Sequence, residues 1–317
     1  MPFLPTDSVA LSSGIQMPVI GKLTSRYYIR LLFTSSSANG SWAPPTGNAR
    51  AEVKDWTLTA LKAGYRHIDT ALGYGTEKSV GLAVKESGLK REDVFITTKL
   101  PYTDHSRVQD SFNESLTNLG VDYIDLYLVH WPQCVDVGAD GRIKVTSSPT
   151  FVEVWAEIEK IFEGKKARAV GVSNFSIKNL EILLKSAKVV PAVNQVELHP
   201  YLAQNELRQY CKDKRIVIEA YTPSGYSKVR NDPVIDKIAQ RHKVTPNQII
   251  LAWHLFRETV IVPKSANEER QRENLNLLVL SNEEVKQIDA LDRGERICNK
   301  PNEHGLVWGW TMEQLGW

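Results

Sequence analysis

Four residues of this chain could together deliver a proton: Asp69, Tyr74, Lys99 and His130. A phenol can protonate a developing alkoxide. A buried lysine beside it favours the phenolate, and is expected to lower the phenol's pKa toward neutrality. A carboxylate keeps that lysine charged and in place, and an imidazole can orient a polar substrate group. The four are far apart in sequence, yet each lies at or just past the end of a short apolar run. Asp69 closes Tyr65–Asp69 with Tyr74 in the following loop, Lys99 closes Val94–Lys99, and His130 closes Tyr123–His130. Residues that share a strand-end position converge on one face of a parallel α/β barrel, the face that carries chemistry.

The elements that must hold them follow from the hydrophobic pattern. Strands are expected at Met17–Gly21, Tyr65–Asp69, Val94–Thr98, Tyr123–Val129, Arg168–Val172, Ala192–Val196, Ile216–Tyr221 and Thr259–Val262. Amphipathic helices lie between them, with Gly88, Gly120 and Gly164 as expected stops. Eight strand–helix units predict an eight-stranded (β/α)8 barrel. A doubly wound sheet would favour an early Gly-x-Gly-x-x-Gly turn, and Gly73-Tyr-Gly75 lacks the third glycine. A hairpin from Val9–Ser12 and Gly14–Met17 could plug the barrel bottom.

The chain has 317 residues, 42% apolar and 24% charged, with a formal charge of +2. That suits a soluble globular domain and gives no basis for a nucleic-acid or membrane partner. Cys134, Cys211 and Cys298 show neither paired nor metal-type spacing, so a reducing compartment is expected. The first residues lack the pattern of a signal peptide, and the expected location is the cytoplasm. His67-x-Asp69 suggests a metal-dependent hydrolase, but no second His pair stands at ligand spacing, and no metal is expected.

Further polar groups fall at other strand ends. Ser173-Asn174 and Gln195 could hold a carboxamide, although Ser-Asn also favours turns. Tyr221 could stack on a planar ring or simply pack. Lys264 and Arg270 bracket an expected helix start at Ser265–Asn267, a setting that suits a phosphate. A solvated charged helix is the other reading. One stretch breaks the rhythm. Lys22–Asn39 carries three basic residues and no acidic ones, then dissolves into Ser-Ser-Ser-Ala-Asn-Gly.

Jointly these stretches resemble the aldo-keto reductase superfamily over nearly the whole chain. They are Gly64-Tyr-Arg-His-Ile-Asp-Thr-Ala71 with Tyr74, Ile96-Thr-Thr-Lys-Leu100, Leu126-Tyr-Leu-Val-His-Trp-Pro132, Gly171-Val-Ser-Asn-Phe175, Asn194-Gln-Val-Glu-Leu-His-Pro200 and Ile261-Val-Pro-Lys-Ser265. The chain is most similar to fungal aldehyde reductases of that group. The resemblance implies a TIM barrel with an N-terminal hairpin and a C-terminal substrate loop, acting as a monomer. It implies NADPH as cofactor and hydride transfer to a small aldehyde or ketone. Asp69, Tyr74, Lys99 and His130 match the catalytic four, with Tyr74 as proton donor. Ser173, Asn174 and Gln195 match the residues on the nicotinamide amide, and Tyr221 the one stacked on its ring. Thr222 and Ser224 match the pyrophosphate side. Lys264, Ser265, Asn267 and Arg270 match the 2′-phosphate grip, and Glu273 with Asn274 the adenine end. Trp42 and Trp131 match substrate-pocket walls, while Pro101 stands where many members carry a pocket tryptophan.

Relative to that family, residues 22–39 divide the tight turn after the first barrel strand, with Gly21 and Gly40-Ser41-Trp42 as its two halves. The expectation is one domain over 1–317 carrying an insertion there, of which an unspliced intron is one origin. A barrel that keeps the cofactor but only regulates or scaffolds is the alternative function.

Overall fold

The computed structural model describes residues 8–19, 38–41, 43, 50–138 and 143–317. Strands β1 (Ser8–Ala10) and β2 (Gln16–Pro18) form an antiparallel hairpin. The central sheet comprises β3 (Ala38–Gly40), β4 (His67–Asp69), β5 (Phe95–Leu100) and β6 (Ile124–Val129). A side hairpin, β7 (Val135–Val137) with β8 (Ile143–Val145), interrupts it in sequence. The sheet continues with β9 (Ala167–Ser173), β10 (Val193–Glu197), β11 (Val217–Tyr221) and β12 (Val260–Ile261). A short tail hairpin, β13 (Leu306–Val307) with β14 (Trp310–Thr311), follows. The eight central strands lie in the order β3-β4-β5-β6-β9-β10-β11-β12, all parallel. The two edges approach each other, since Gly40 N–H donates to Pro263 O at 3.4 Å. This is an α/β, TIM-barrel-like fold.

Helices fill the crossovers: α1 (Val53–Ala63), α2 (Glu77–Glu86), α3 (Val108–Leu119), α4 (Phe151–Glu163), α5 (Ile177–Leu184) and α6 (Asn205–Asp213). The short α7 (Tyr226–Arg230) precedes α8 (Pro233–His242) and α9 (Pro246–Phe256). After β12 come α10 (Glu268–Leu275) and α11 (Asn282–Asp289), and α12 (Met312–Leu315) lies in the tail. In α4 the residues Phe151, Val154, Trp155, Ile158 and Ile161 recur at helical spacing and all are buried. Its start is fixed by Thr150 and Glu153, which satisfy each other's backbone N–H groups. Every residue of β5 and β6 is buried, as expected of strands covered on both faces. At Gly171 in β9 a Cβ would stand 2.6 Å from Val193 O, so only glycine allows β10 to approach there.

Seven of the eight expected sheet strands overlap observed ones, and the first does not. Met17 and Pro18 pair back onto Val9 and Ser8 in the hairpin, so the sheet opens with Ala38–Gly40 instead. A five-residue turn over residues 11–15, closed by Leu11 N–H to Ile15 O at 2.9 Å, gives Met17 a nearby partner before the barrel is reached. The last two residues of the expected insertion therefore belong to β3. The rest of it, residues 22–37, lies outside the described residues. Gly120 ends α3 in the left-handed region as expected, but Gly164 stays right-handed and Lys165 makes that turn at φ 59.

Candidate active site

The four proton-site residues meet at the C-terminal ends of β4, β5 and β6. Lys99 is fully buried and donates to Asp69 Oδ2 at 2.6 Å and to Thr70 O at 2.8 Å. Tyr74 ends a single 3₁₀ turn, Leu72–Tyr74, closed by Gly75 in the left-handed region. That turn brings the half-buried Tyr74 ring over Lys99, with Nζ 5.1 Å from its centroid. His130 meets the same ring edge-on at 5.6 Å between centroids. Burial drives the His130 imidazole well below its ordinary pKa, and the Lys99 charge adds to this, so the ring is a neutral hydrogen-bonding group.

The expected lowering of the Tyr74 pKa does not survive in this structure. Burial raises it, and Lys99 pulls downward without prevailing. The reason is visible in the geometry: the ammonium is matched by Asp69 at 2.6 Å, so less of its field reaches the phenol. Burial alone would lower Lys99, but Asp69, Tyr74 and Glu219 together outweigh it and the net shift is upward. The lysine stays charged.

A polar network continues around the strand ends. Ser173 Oγ donates to Gln195 O at 2.8 Å. Asn174, held at φ 65, donates from Nδ2 to His130 O at 2.9 Å and accepts from the Tyr221 hydroxyl at 2.8 Å. Gln195 Nε2 donates to Asp69 Oδ2 at 2.9 Å and to Glu219 Oε2 at 2.7 Å. Both amide hydrogens are thereby spent, and Gln195 offers a ligand its carbonyl oxygen. Thr222, at φ 50, lies 3.2 Å from Cys298 Sγ. Trp131 is buried beneath the tail, its ring 5.7 Å from that of Trp317. Trp42 lies outside the described residues.

The remaining candidates gather further along the same rim. Ser224, Lys264, Ser265, Arg270, Glu273 and Asn274 line one cavity of about 290 Å³. Asn267 caps α10, its side chain accepting from Arg270 N–H at 2.9 Å. Lys264 is pushed below its ordinary pKa by burial and by the neighbouring Arg270 charge. Its ammonium lies 4.6 Å over the Trp56 ring. Two like charges held together beside a helix start fit an anion. Ser224 Oγ donates to Asn247 Oδ1, and Asn247 Nδ2 donates to Asn274 Oδ1 at 2.7 Å. Among the described residues no group of three or more His, Cys, Asp or Glu is placed to hold a metal ion.

The sequence profile of the Aldo/keto reductase family matches residues 36–293. The chain belongs to the aldo/keto reductase family. It is 39% identical to a glycerol 2-dehydrogenase (NADP(+)) of Saccharomyces cerevisiae, over 94% of this chain and 95% of that one. It is 38% identical to a glyoxal reductase of Bacillus subtilis, over 96% and 99% respectively. An aldehyde reductase of Saccharomyces cerevisiae is also 38% identical, over 90% and 91%. Among solved structures, an aldo-keto reductase of Bombyx mori in complex with NADP superposes with a TM-score of 0.81 at 29% identity, covering 93% of this chain and 95% of that one.

Within this family member, sequence reasoning passed over two buried acids. Glu197, at the end of β10, accepts from Ile297 N–H at 2.6 Å and Cys298 N–H at 2.8 Å, and so ties the tail to the rim. Glu219 interrupts the apolar run Ile216-Val-Ile-Glu-Ala-Tyr221, and that interruption was the available signal. Arg296 was also missed. Its guanidinium lies 3.5 Å over the Trp317 ring, in the same side-chain cluster as Trp131.

Proposed function

We propose that the protein reduces small aldehydes or ketones to alcohols with NADPH, Tyr74 supplying the proton. The observation that carries this is the buried Lys99–Asp69 pair beneath Tyr74 and His130 on the strand-end face. NADPH supplies the hydride when bound. Ser173, Asn174 and the Gln195 carbonyl would hold its carboxamide, and the Tyr221 ring would back its nicotinamide. Thr222 and Ser224 would face the pyrophosphate. Lys264, Ser265, Asn267 and Arg270 would grip the 2′-phosphate, with Glu273 and Asn274 at the adenine end. The Tyr74 hydroxyl and neutral His130 would both meet the substrate oxygen, which places two donors where negative charge develops. Trp131 and Trp42 would wall the substrate.

The test is a panel of small aldehydes and ketones with NADPH consumption followed, NADH serving as the comparison. Cofactor binding without turnover on any member of the panel would favour the regulatory alternative.

The same reading makes the fold a closed (β/α)8 barrel and residues 22–39 an insertion in its first βα turn. Supporting this, the family match begins at residue 36, just before β3. Just past β3, Ser41 N–H donates to Asp69 O at 2.8 Å. Without the insertion, Ile20-Gly21 would precede Gly40 directly and take the strand positions of Ala38-Asn39. Three unpaired cysteines suit a cytoplasmic setting.

A further inference from the structure

One ionisable side chain at the heart of the site has no task in the reaction described above. Glu219 is the middle residue of β11 and is fully buried. The Gln195 amide nitrogen spans two carboxyl groups, reaching Glu219 Oε2 at 2.7 Å and Asp69 Oδ2 at 2.9 Å. The groups facing Glu219 are Asp69 and His67 from β4, Lys99 from β5 and Gln195 from β10, with Tyr74 beyond Lys99. His67 Nε2 lies 3.7 Å from Glu219 Oε1, but it bonds Thr97 Oγ1 at 2.8 Å, and burial pulls its pKa down to about 3. It brings no charge. One ammonium therefore stands against two carboxyl groups. Glu219 Oε1 has no hydrogen-bond partner among the described residues. Two ionised carboxylates would leave one buried negative charge unmatched, and a proton on Glu219 removes it.

We propose that Glu219 is a positioning residue that carries a proton in the working enzyme, aligns Gln195 with Asp69, and weakens Tyr74 as an acid when it ionises. The inference rests on the reductase reading. With Glu219 neutral, Lys99 is balanced by Asp69 alone. Ionised Glu219 adds a second negative charge beneath Lys99, which raises both the lysine and the Tyr74 phenol. Burial, then the nearby Asp69 carboxylate, lifts Glu219 to about 8. The sign follows. Below that pH Glu219 is neutral and Tyr74 is at its most acidic. Above it, Tyr74 holds its proton more tightly and carbonyl reduction slows. The two carboxyls titrate as a pair, so the limb belongs to the site rather than to one residue.

The experiment measures kcat for aldehyde reduction from neutral pH to well above 8. Wild type should lose up to about tenfold per pH unit beyond the midpoint. In Glu219→Gln that limb should vanish or move upward, and Glu219→Asp should restore it. A purely structural role would scale kcat by one factor at every pH and leave the limb in place, which would overturn the proposal. A second readout needs no variant. Infrared spectra of wild type carrying isotope-labelled glutamate should show a protonated carboxyl C=O band at neutral pH that fades near pH 8. Its absence at neutral pH would overturn the proposal as well. If wild type turns over no carbonyl at all, the reductase reading falls, and the infrared band alone decides whether Glu219 holds the proton.

Discussion

Removing a single oxygen at Tyr74 should separate binding from chemistry. Tyr74→Phe is expected to keep its affinity for NADPH and to lose about 10²–10⁴-fold in turnover, the usual contribution of a positioned general acid. Near-normal turnover would mean that the proton comes from elsewhere. At the other end of the cleft, Arg270 and Lys264 share one cavity. Charge-assisted contacts to a phosphate are worth roughly 1.5–3 kcal/mol each, so Arg270→Ala should weaken NADPH about tenfold to a hundredfold. NADH, with no 2′-phosphate, should be almost unaffected. Titration of both cofactors decides it, and equal weakening would give the arginine another job. The four proton-site residues were legible because each stands at or just past a strand end, where side chains must converge. The direction of the Tyr74 shift was not. It depends first on how far the fold buries the phenol and then on how closely Asp69 neutralises Lys99, and no spacing in the sequence encodes either.

Among the elements, β9 and β10 make a sharp demand on one position. Gly171 meets Val193 O and Leu128 Cδ2 at distances no side chain tolerates, 2.6 and 2.8 Å from an added Cβ. Gly171→Ala should therefore destabilise the protein by about 1–3 kcal/mol, the usual cost of overpacking. Denaturant unfolding measures it, and an unchanged midpoint would show that the strands can part. Seven sheet strands were readable from apolar runs, because fully covered parallel strands need no polar alternation. The first was misplaced for a physical reason. Met17–Gly21 suits a barrel strand and a hairpin arm equally well, and the choice falls to the partner Ser8–Val9, which is a matter of pairing. The stop after α4 was legible, since the helix ends at Glu163 directly before Gly164; only the left-handed turn itself passes to Lys165, at φ 59.

For the molecule as a whole, the segment 22–39 is a question of activity more than of stability. Closing a longer loop costs only about 0.6 kcal/mol per doubling, so its removal should shift the melting temperature little. On the proposed reading it would also join Gly21 directly to Gly40, and turnover should rise. Comparing NADPH consumption by the full and shortened chains tests this, and lost activity in a still-folded shortened chain would make the segment part of the working enzyme. The seam where β3 meets β12 has a further consequence, for how long a folded molecule lasts. Gly40 and Pro263 touch across most of the chain's length, through a bond of 3.4 Å. Contacts so distant in sequence form late in folding and slow it. The seam is therefore where the two sheet edges would first part. Lys264 follows directly on Pro263, and its Cβ would lie 3.5 Å from a Cβ at Gly40. A phosphate held there would brace the joint. Interactions formed after the folding transition state slow unfolding and leave refolding unchanged, so the lifetime of each molecule would be set by the cofactor supply.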